Sequence, residues 1–214
     1  KWINGELSAR QLRQVKIEDL LERDPIQLDN SNIEREIRDR VVLVTGVAGS
    51  IGSEIARQIL HYSPKQVVYL DQAESPLYEL EFEIKTHYPE SFGKCTFLVG
   101  NVKDFMRMEL LFKTYKPDVV FHAAAYKHVP LMEDNPYEAL MVNVFGTKIM
   151  ADLSCEFGVS KFVMVSTDKA VNPTNVMGSS KCIAEIYTQA VQGSGNFNTQ
   201  FITTRFGNVL GSNG

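Results

Sequence analysis

The chain has 214 residues, 44% hydrophobic and 22% charged, with 14 glycines and 8 prolines. That is the balance of one sizeable globular domain, with or without an added arm, and it excludes collagen-like, coiled-coil and low-complexity chains. A formal charge of −4 supplies no basic field for a polyanionic backbone, so nucleic acid is not an expected partner.

In chain order, residues 8–23 place Leu12, Val15, Leu20 and Leu21 among charges in a roughly helical rhythm that Asp24-Pro25 breaks. Asp29-Asn30-Ser31 then offer capping side chains for a short helix carrying Ile33 and Ile37. Residues 1–39 therefore read as an N-terminal arm with short helices, ahead of a domain over 40–214. Val41-Val42-Leu43-Val44 opens that domain as a continuous apolar run. Similar runs at 66–70, 96–99, 118–121, 161–165 and 199–203 predict six short buried strands. Amphipathic stretches at 51–62, 74–87, 104–115, 134–157 and 177–192 alternate with them. Such alternation predicts an α/β fold, a doubly wound parallel sheet covered on both faces.

No apolar run approaches the ~18 residues of a membrane span, and the N-terminal residues are charged throughout, so neither a span nor a signal peptide is expected, nor membrane contact from this segment. Cys95, Cys155 and Cys182 are odd in number and widely spaced. They suggest neither a disulfide framework nor a metal site and fit a reducing, cytoplasmic setting. The chain begins at Lys1 and ends in a Gly/Asn/Ser-rich turn, which reads as a piece of a longer protein.

The sequence VVLVTGVAGSIGSEIA places Gly46, Gly49 and Gly52 after a strand and at the opening of a helix. One glycine allows the tight turn, one lets the backbone approach a pyrophosphate, and one lets the helix pack close, while the helix N-terminus favours an anion. Ser50 and Ile51 lie in the same turn. Asp71 ends the second strand nineteen residues beyond Gly52, near the ~20 expected of an acid that accepts from an adenosine ribose. With no basic residue beside Gln72 and Glu74, this favours NAD over NADP. No Lys-Ser/Thr follows Gly52, which excludes the phosphate loop of an ATPase. Asn101 and Val102 follow the third strand, and Ala123, Ala124 and Ala125 follow the fourth. Small residues there either admit a flat ring system or simply let a helix pack close.

Together with Asn143 in NVFGT and Ser166-Thr167-Asp168-Lys169 after the fifth strand, the chain resembles the extended short-chain dehydrogenase/reductase superfamily over residues 40–214. IEDLLERDPIQLD, AAAYKHVPLMEDNP, STDKAVNPTNVMGSSK and RFGNVLGSNG narrow the resemblance to the CapD-like polysaccharide-biosynthesis branch, nucleotide-sugar 4,6-dehydratases acting on UDP-N-acetylglucosamine. That resemblance implies oxidation at C4 of the sugar, loss of water across C5 and C6, and return of the hydride to C6, giving a 4-keto-6-deoxy sugar nucleotide for surface polysaccharide synthesis.

Most of the superfamily carries Tyr-x-x-x-Lys; here the positions are Met177 and Lys181. A thioether is no base, so deprotonation of the 4-hydroxyl falls to Asp168, Lys169 or an ordered water. By the same resemblance Asp168 is the acid for the departing 6-hydroxyl and Lys169 the base at C5, while Thr167 bonds the 4-hydroxyl. Asn101, Val102, Asn143 and Lys181 are implied at the cofactor, Lys127 and His128 at cofactor and sugar, and Asn208 and Val209 at the sugar nucleotide. His122 reads as structural, and Arg205 as a brace for its loop. The family pattern also implies a homo-oligomer, a smaller C-terminal substrate domain beyond this segment, and a parent anchored in the inner membrane with this domain facing the cytoplasm. Two alternatives remain open: a sugar-nucleotide 4-epimerase or reductase, and a non-catalytic NAD-binding module.

Overall fold

The computed structural model describes residues 30–209; the helical rhythm over 8–23 lies outside them. Six strands, β1 (Val41–Thr45), β2 (Gln66–Asp71), β3 (Cys95–Val99), β4 (Val119–His122), β5 (Lys161–Thr167) and β6 (Gln200–Phe206), form one sheet in the order 3-2-1-4-5-6. Every pairing is parallel. The apolar run of β1 is buried from end to end, as a strand covered on both faces must be.

Alternate strand side chains feed two cores. Val42, Val44, Val67 and Tyr69 face one side and meet α1 (Asn30–Ile37), α2 (Ser50–Leu60) and α3 (Glu74–His87) through Ile37, Ile59 and Leu80. Leu43, Val68, Leu70 and Val120 face the other side and meet α4 (Phe105–Tyr115), α5 (Thr147–Glu156) and α6 (Val176–Gly193) through Phe112, Leu153 and Ala184. The chain runs outward from β1 to β3, then crosses back to β4, so strand order reverses between β1 and β4. A cleft opens at such a reversal, beyond the carboxyl ends of the strands.

Two expectations change. The strands are not all buried: β3 has no fully buried residue and Val99 is 51% exposed, because β3 and β6 are the edges and each has a neighbour on one side only. Nor is 134–157 one helix. Short helices at Val129–Asp134 and Pro136–Ala139 are separated at Asn135, since Pro136 lacks the N–H that would continue the first. A π-helix, Leu140–Gly146, then leads into α5.

Candidate active site

The cleft has two lobes that share Gly46, Gly49, Ala123 and Ala125. The smaller, about 260 Å³, lies over β1–β3 and is lined by Asp71, Gln72, Asn101 and Val102. The larger, about 600 Å³, lies over β4–β6 and contains Ser50, Ile51, Lys127, His128, Thr167, Lys169, Met177, Lys181, Asn208 and Val209. Together they have the size of a small-molecule site.

The three glycines do different work. Gly46 has φ +68°, and a Cβ there would lie 2.4 Å from the Ala124 nitrogen, so it fixes the turn against the alanine loop. A Cβ on Gly52 would lie 2.1 Å from the Gly46 carbonyl oxygen, so it seats α2 against the turn. Gly49 meets only that oxygen, at 3.3 Å, and is the glycine with room beside it. Gly49 is also the N-cap of α2, and no side chain caps that helix, whereas Asp104 caps α4 and Asn175 caps α6. An uncapped helix N-terminus facing a cleft is suited to hold an anion.

Asp71 accepts from the Ala48 N–H at 2.9 Å with one oxygen and from the Ala73 N–H at 2.9 Å with the other. It thereby ties β2 to the glycine turn while each oxygen keeps acceptor capacity toward the lobe. Asn101 accepts from the Lys103 N–H at 3.0 Å and donates to Gln72 at 2.5 Å; Gln72 donates in turn to the Tyr126 hydroxyl at 3.2 Å. Gln72 and Tyr126 were not singled out in the sequence. Gln72's position directly after Asp71 was its one signal.

Asn143 does not line the cleft. It is fully buried in the π-helix; its oxygen accepts from the Tyr126 N–H at 2.8 Å, and its amide donates to the Tyr126 carbonyl at 3.0 Å and to Ser180 Oγ at 2.9 Å. The expected cofactor contact therefore becomes a clamp that holds the loop after β4 against α6. His122 is buried as expected of a structural histidine. Thr147 Oγ1 donates to the Asn143 carbonyl at 2.7 Å, so it accepts from His122 Nε2–H at 3.0 Å, and Nδ1 accepts from Thr45 Oγ1 at 2.8 Å. Burial, reinforced by Lys181, pushes the imidazole down to about 3, so it stays neutral.

Thr167 ends β5, and Asp168–Ala170 follow it as a single 3₁₀ turn that Thr167 caps. Gly178 seats that turn: a Cβ there would lie 2.3 Å from the Lys169 carbonyl oxygen, so α6 approaches Lys169 as closely as backbone allows. Asp168 accepts from Thr167 Oγ1 at 3.0 Å and from Lys169 Nζ at 3.3 Å, and these two hold its carboxyl below the usual carboxylate range. A standing acid is thus not what the free site offers; Asp168 is a carboxylate, ion-paired and exposed, and it is not among the residues lining the cleft, although its neighbours Thr167 and Lys169 are. Lys169 Nζ also donates to Asn208 Oδ1 at 3.2 Å, joining the ends of β5 and β6. Met177 is 3% exposed; it lines the larger lobe and packs behind it with Met132 and Ala139.

Lys181 is 4% exposed, and its Nζ has no hydrogen-bond partner among the described residues. Burial pushes it down to about 8, against the opposing charge of Glu185 one turn along the helix. An orphaned buried ammonium on a residue that lines a cleft calls for an explanation beyond packing.

A six-stranded parallel sheet of this order, a three-glycine turn at the reversal and a lysine helix lining the cleft define an extended short-chain dehydrogenase/reductase domain. A family model described as polysaccharide biosynthesis protein matches residues 42–214. Capsular polysaccharide biosynthesis protein CapD of Staphylococcus aureus is 46% identical over 212 residues, 99% of this chain and 35% of that protein. A UDP-N-acetylglucosamine 4,6-dehydratase (inverting) of Campylobacter jejuni is 34% identical over 175 residues, 81% of this chain and 50% of that protein. The structure of Pen from Bacillus thuringiensis superposes with a TM-score of 0.76 at 34% identity, over 83% of this chain and 53% of that one. The chain belongs to the polysaccharide biosynthesis protein family. It spans about a third to a half of the length of these relatives. No helix among the described residues is long and apolar enough to cross a membrane.

Proposed function

We propose that this domain binds NAD and carries the dehydrating half of a nucleotide-sugar 4,6-dehydratase acting on a UDP-N-acetylhexosamine, UDP-N-acetylglucosamine first. The observation that carries the reading is Lys181. Its Nζ is buried without a partner among the described residues, and Lys181 lines the lobe that also holds Thr167, Lys169 and Asn208, while the open Gly49 and uncapped α2 lie where the two lobes meet. That arrangement fits a dinucleotide running from Asp71 to Lys181, which supplies reversible hydride acceptance when bound.

The remaining chemistry belongs to the chain's own residues. Thr167 and Lys127 orient the sugar. Moving one proton from Lys169 Nζ to Asp168 Oδ1 across their 3.3 Å contact creates the base at C5 and the acid for the 6-hydroxyl in a single step. Excluding water favours that transfer, because desolvation raises a carboxyl and lowers an amine. The depressed Asp168 of the free site is therefore the resting form of the acid, and Met177 leaves the 4-hydroxyl proton to this pair or to an ordered water.

The full-length protein, incubated with UDP-N-acetylglucosamine and NAD⁺ in deuterated water, should yield a sugar nucleotide that has lost water and gained deuterium at C5, read by mass spectrometry. Lys169→Met should abolish both, by at least ~10²-fold, as loss of a positioned base does. Met177, where the superfamily has a hydroxyl, favours the competing reading of an NAD-binding module without chemistry; bound NAD with an unchanged sugar would establish that instead. A sugar inverted at C4 with neither loss of water nor deuterium at C5 would point to a 4-epimerase.

None of the residues lining the smaller lobe is basic, and Asp71 stands at its rim. A 2′-phosphate placed there would meet a carboxylate and no cation. NAD should bind at least ~10-fold tighter than NADP in calorimetric titration, a difference of about 1.4 kcal/mol; equal affinities would remove Asp71 from the ribose.

A further inference from the structure

Glu185 lies on α6, 3% exposed, and no step above uses it. Its carboxylate gathers groups from two strand ends. Ser166, at the end of β5, donates to Oε1, and Arg205, near the end of β6, donates from Nε to Oε1 at 3.1 Å and from Nη2 to Oε2 at 2.6 Å. Ser166 directly precedes Thr167–Lys169, and Arg205 is followed by Phe206–Val209. These are the two rims that Lys169 and Asn208 join inside the cleft at 3.2 Å. The same carboxylate is four residues from Lys181, on the same helix face.

Resting on the reading of Lys181 as a cofactor ligand, we propose that Glu185 is a positioning residue that holds the ends of β5 and β6 together and divides its charge between Arg205 and Lys181. Arg205 is not among the residues lining the cleft. It nevertheless sets how firmly Lys181 keeps its proton, because a Glu185 neutralised by Arg205 presents Lys181 with a dipole rather than a full charge.

The surroundings of Lys181 make the division consequential. Burial pushes Glu185 up, but the hydrogen bonds from Arg205 and Ser166 outweigh it and keep the group a carboxylate. On the facing strand His122 is neutral. Lys127 and Lys169 line the same lobe and add positive charge. Glu185 is the group that favours the Lys181 cation.

Two substitutions should then move Lys181 in opposite directions. Arg205→Met releases the full carboxylate and should raise the midpoint of Lys181 by about one pH unit; Glu185→Gln keeps the size, removes the charge and should lower it by about one unit. A purely structural brace would give no shift, or shifts of the same sign. The measurement is ¹³Cε lysine NMR of the full-length chain without cofactor, with the Lys181 signal assigned by its loss in Lys181→Met. Opposed shifts support the inference, and unchanged or parallel shifts overturn it. If Glu185→Gln does not fold, Arg205→Met decides alone, since its side chain is 47% exposed: a raised midpoint supports charge sharing and an unmoved one removes it. A separate NAD titration of the wild type distinguishes the two levels, because absent NAD binding would end the functional reading while leaving the NMR result intact.

Discussion

Lys181→Met should make the domain more stable and unable to hold its cofactor. The ammonium is buried without a hydrogen bond among the described residues and pushed down to about 8. Relative to an unfolded lysine near 10.5, that corresponds to a cost on the order of 3 kcal/mol at neutral pH. Methionine has nearly the same length, carries no charge and is an adaptable filler of buried space. Glu185 stays satisfied by Arg205 and Ser166 after the change. Urea denaturation without NAD should show the variant about 1–3 kcal/mol more stable, as replacement of a buried unpaired charge generally gives.

The pH profile fixes the cause. The folded-state value of Lys181 lies below the unfolded one, so the penalty is fully present below about 8. Between about 8 and 10.5 the unfolded chain holds the extra proton, and wild-type stability should rise across that window. This rise should be absent in Lys181→Met, and a variant less stable than wild type would show that the lysine is satisfied after all. NAD binding should weaken by at least ~10²-fold, the scale of a lost buried charged hydrogen bond.

Gly52→Ala should do the reverse, damaging fold and site together. The added Cβ would sit 2.1 Å from the Gly46 oxygen and 2.8 Å from both the Gly46 carbonyl carbon and the Val47 Cα. All three are backbone atoms with no rotamer to change. Relief requires sliding α2 away from the turn, which moves the helix N-terminus from the place where it meets an anion. A loss of at least ~3 kcal/mol is expected, at the upper end of overpacking penalties. Gly49→Ala is the control: its Cβ would meet the same oxygen at 3.3 Å, so stability should fall by less than ~1 kcal/mol while NAD affinity drops. Equal destabilisation by both would mean that the turn, not the helix approach, is what the glycines protect.

Much of this was legible in the sequence because it rests on local rules. β-branched runs ending in glycine, and helical stretches between them, determine a parallel sheet almost by themselves, and the spacing from Gly52 to Asp71 measures one helix and one strand. Thr167, Lys169, Met177 and Lys181 fall in one lobe because two successive elements end at the same sheet edge. Interactions across elements were not legible. Asn143 reads as a cleft residue until its three hydrogen bonds are seen to close inward. Glu185 reads as one more helix glutamate, although its four-residue offset from Lys181 on a face otherwise buried was a usable signal. The protonation of Asp168 was not legible either, because it depends on Thr167 and Lys169 in three dimensions.

The π-helix also bears on how far the fold tolerates change in length. Its seven residues, Leu140–Gly146, contain the geometric equivalent of one inserted residue, and an α-helix turns about 100° per residue. The residues before it and α5 after it therefore follow two different angular frames, and Asn143 sits where the frames meet. Away from Asn143, side-chain swaps along this stretch alter packing, whereas a change in residue count re-aims the clamp on Tyr126 and with it the wall of the cleft. Spacing between Pro136 and Thr147 is thus held to a single count, a constraint of arithmetic rather than of chemistry.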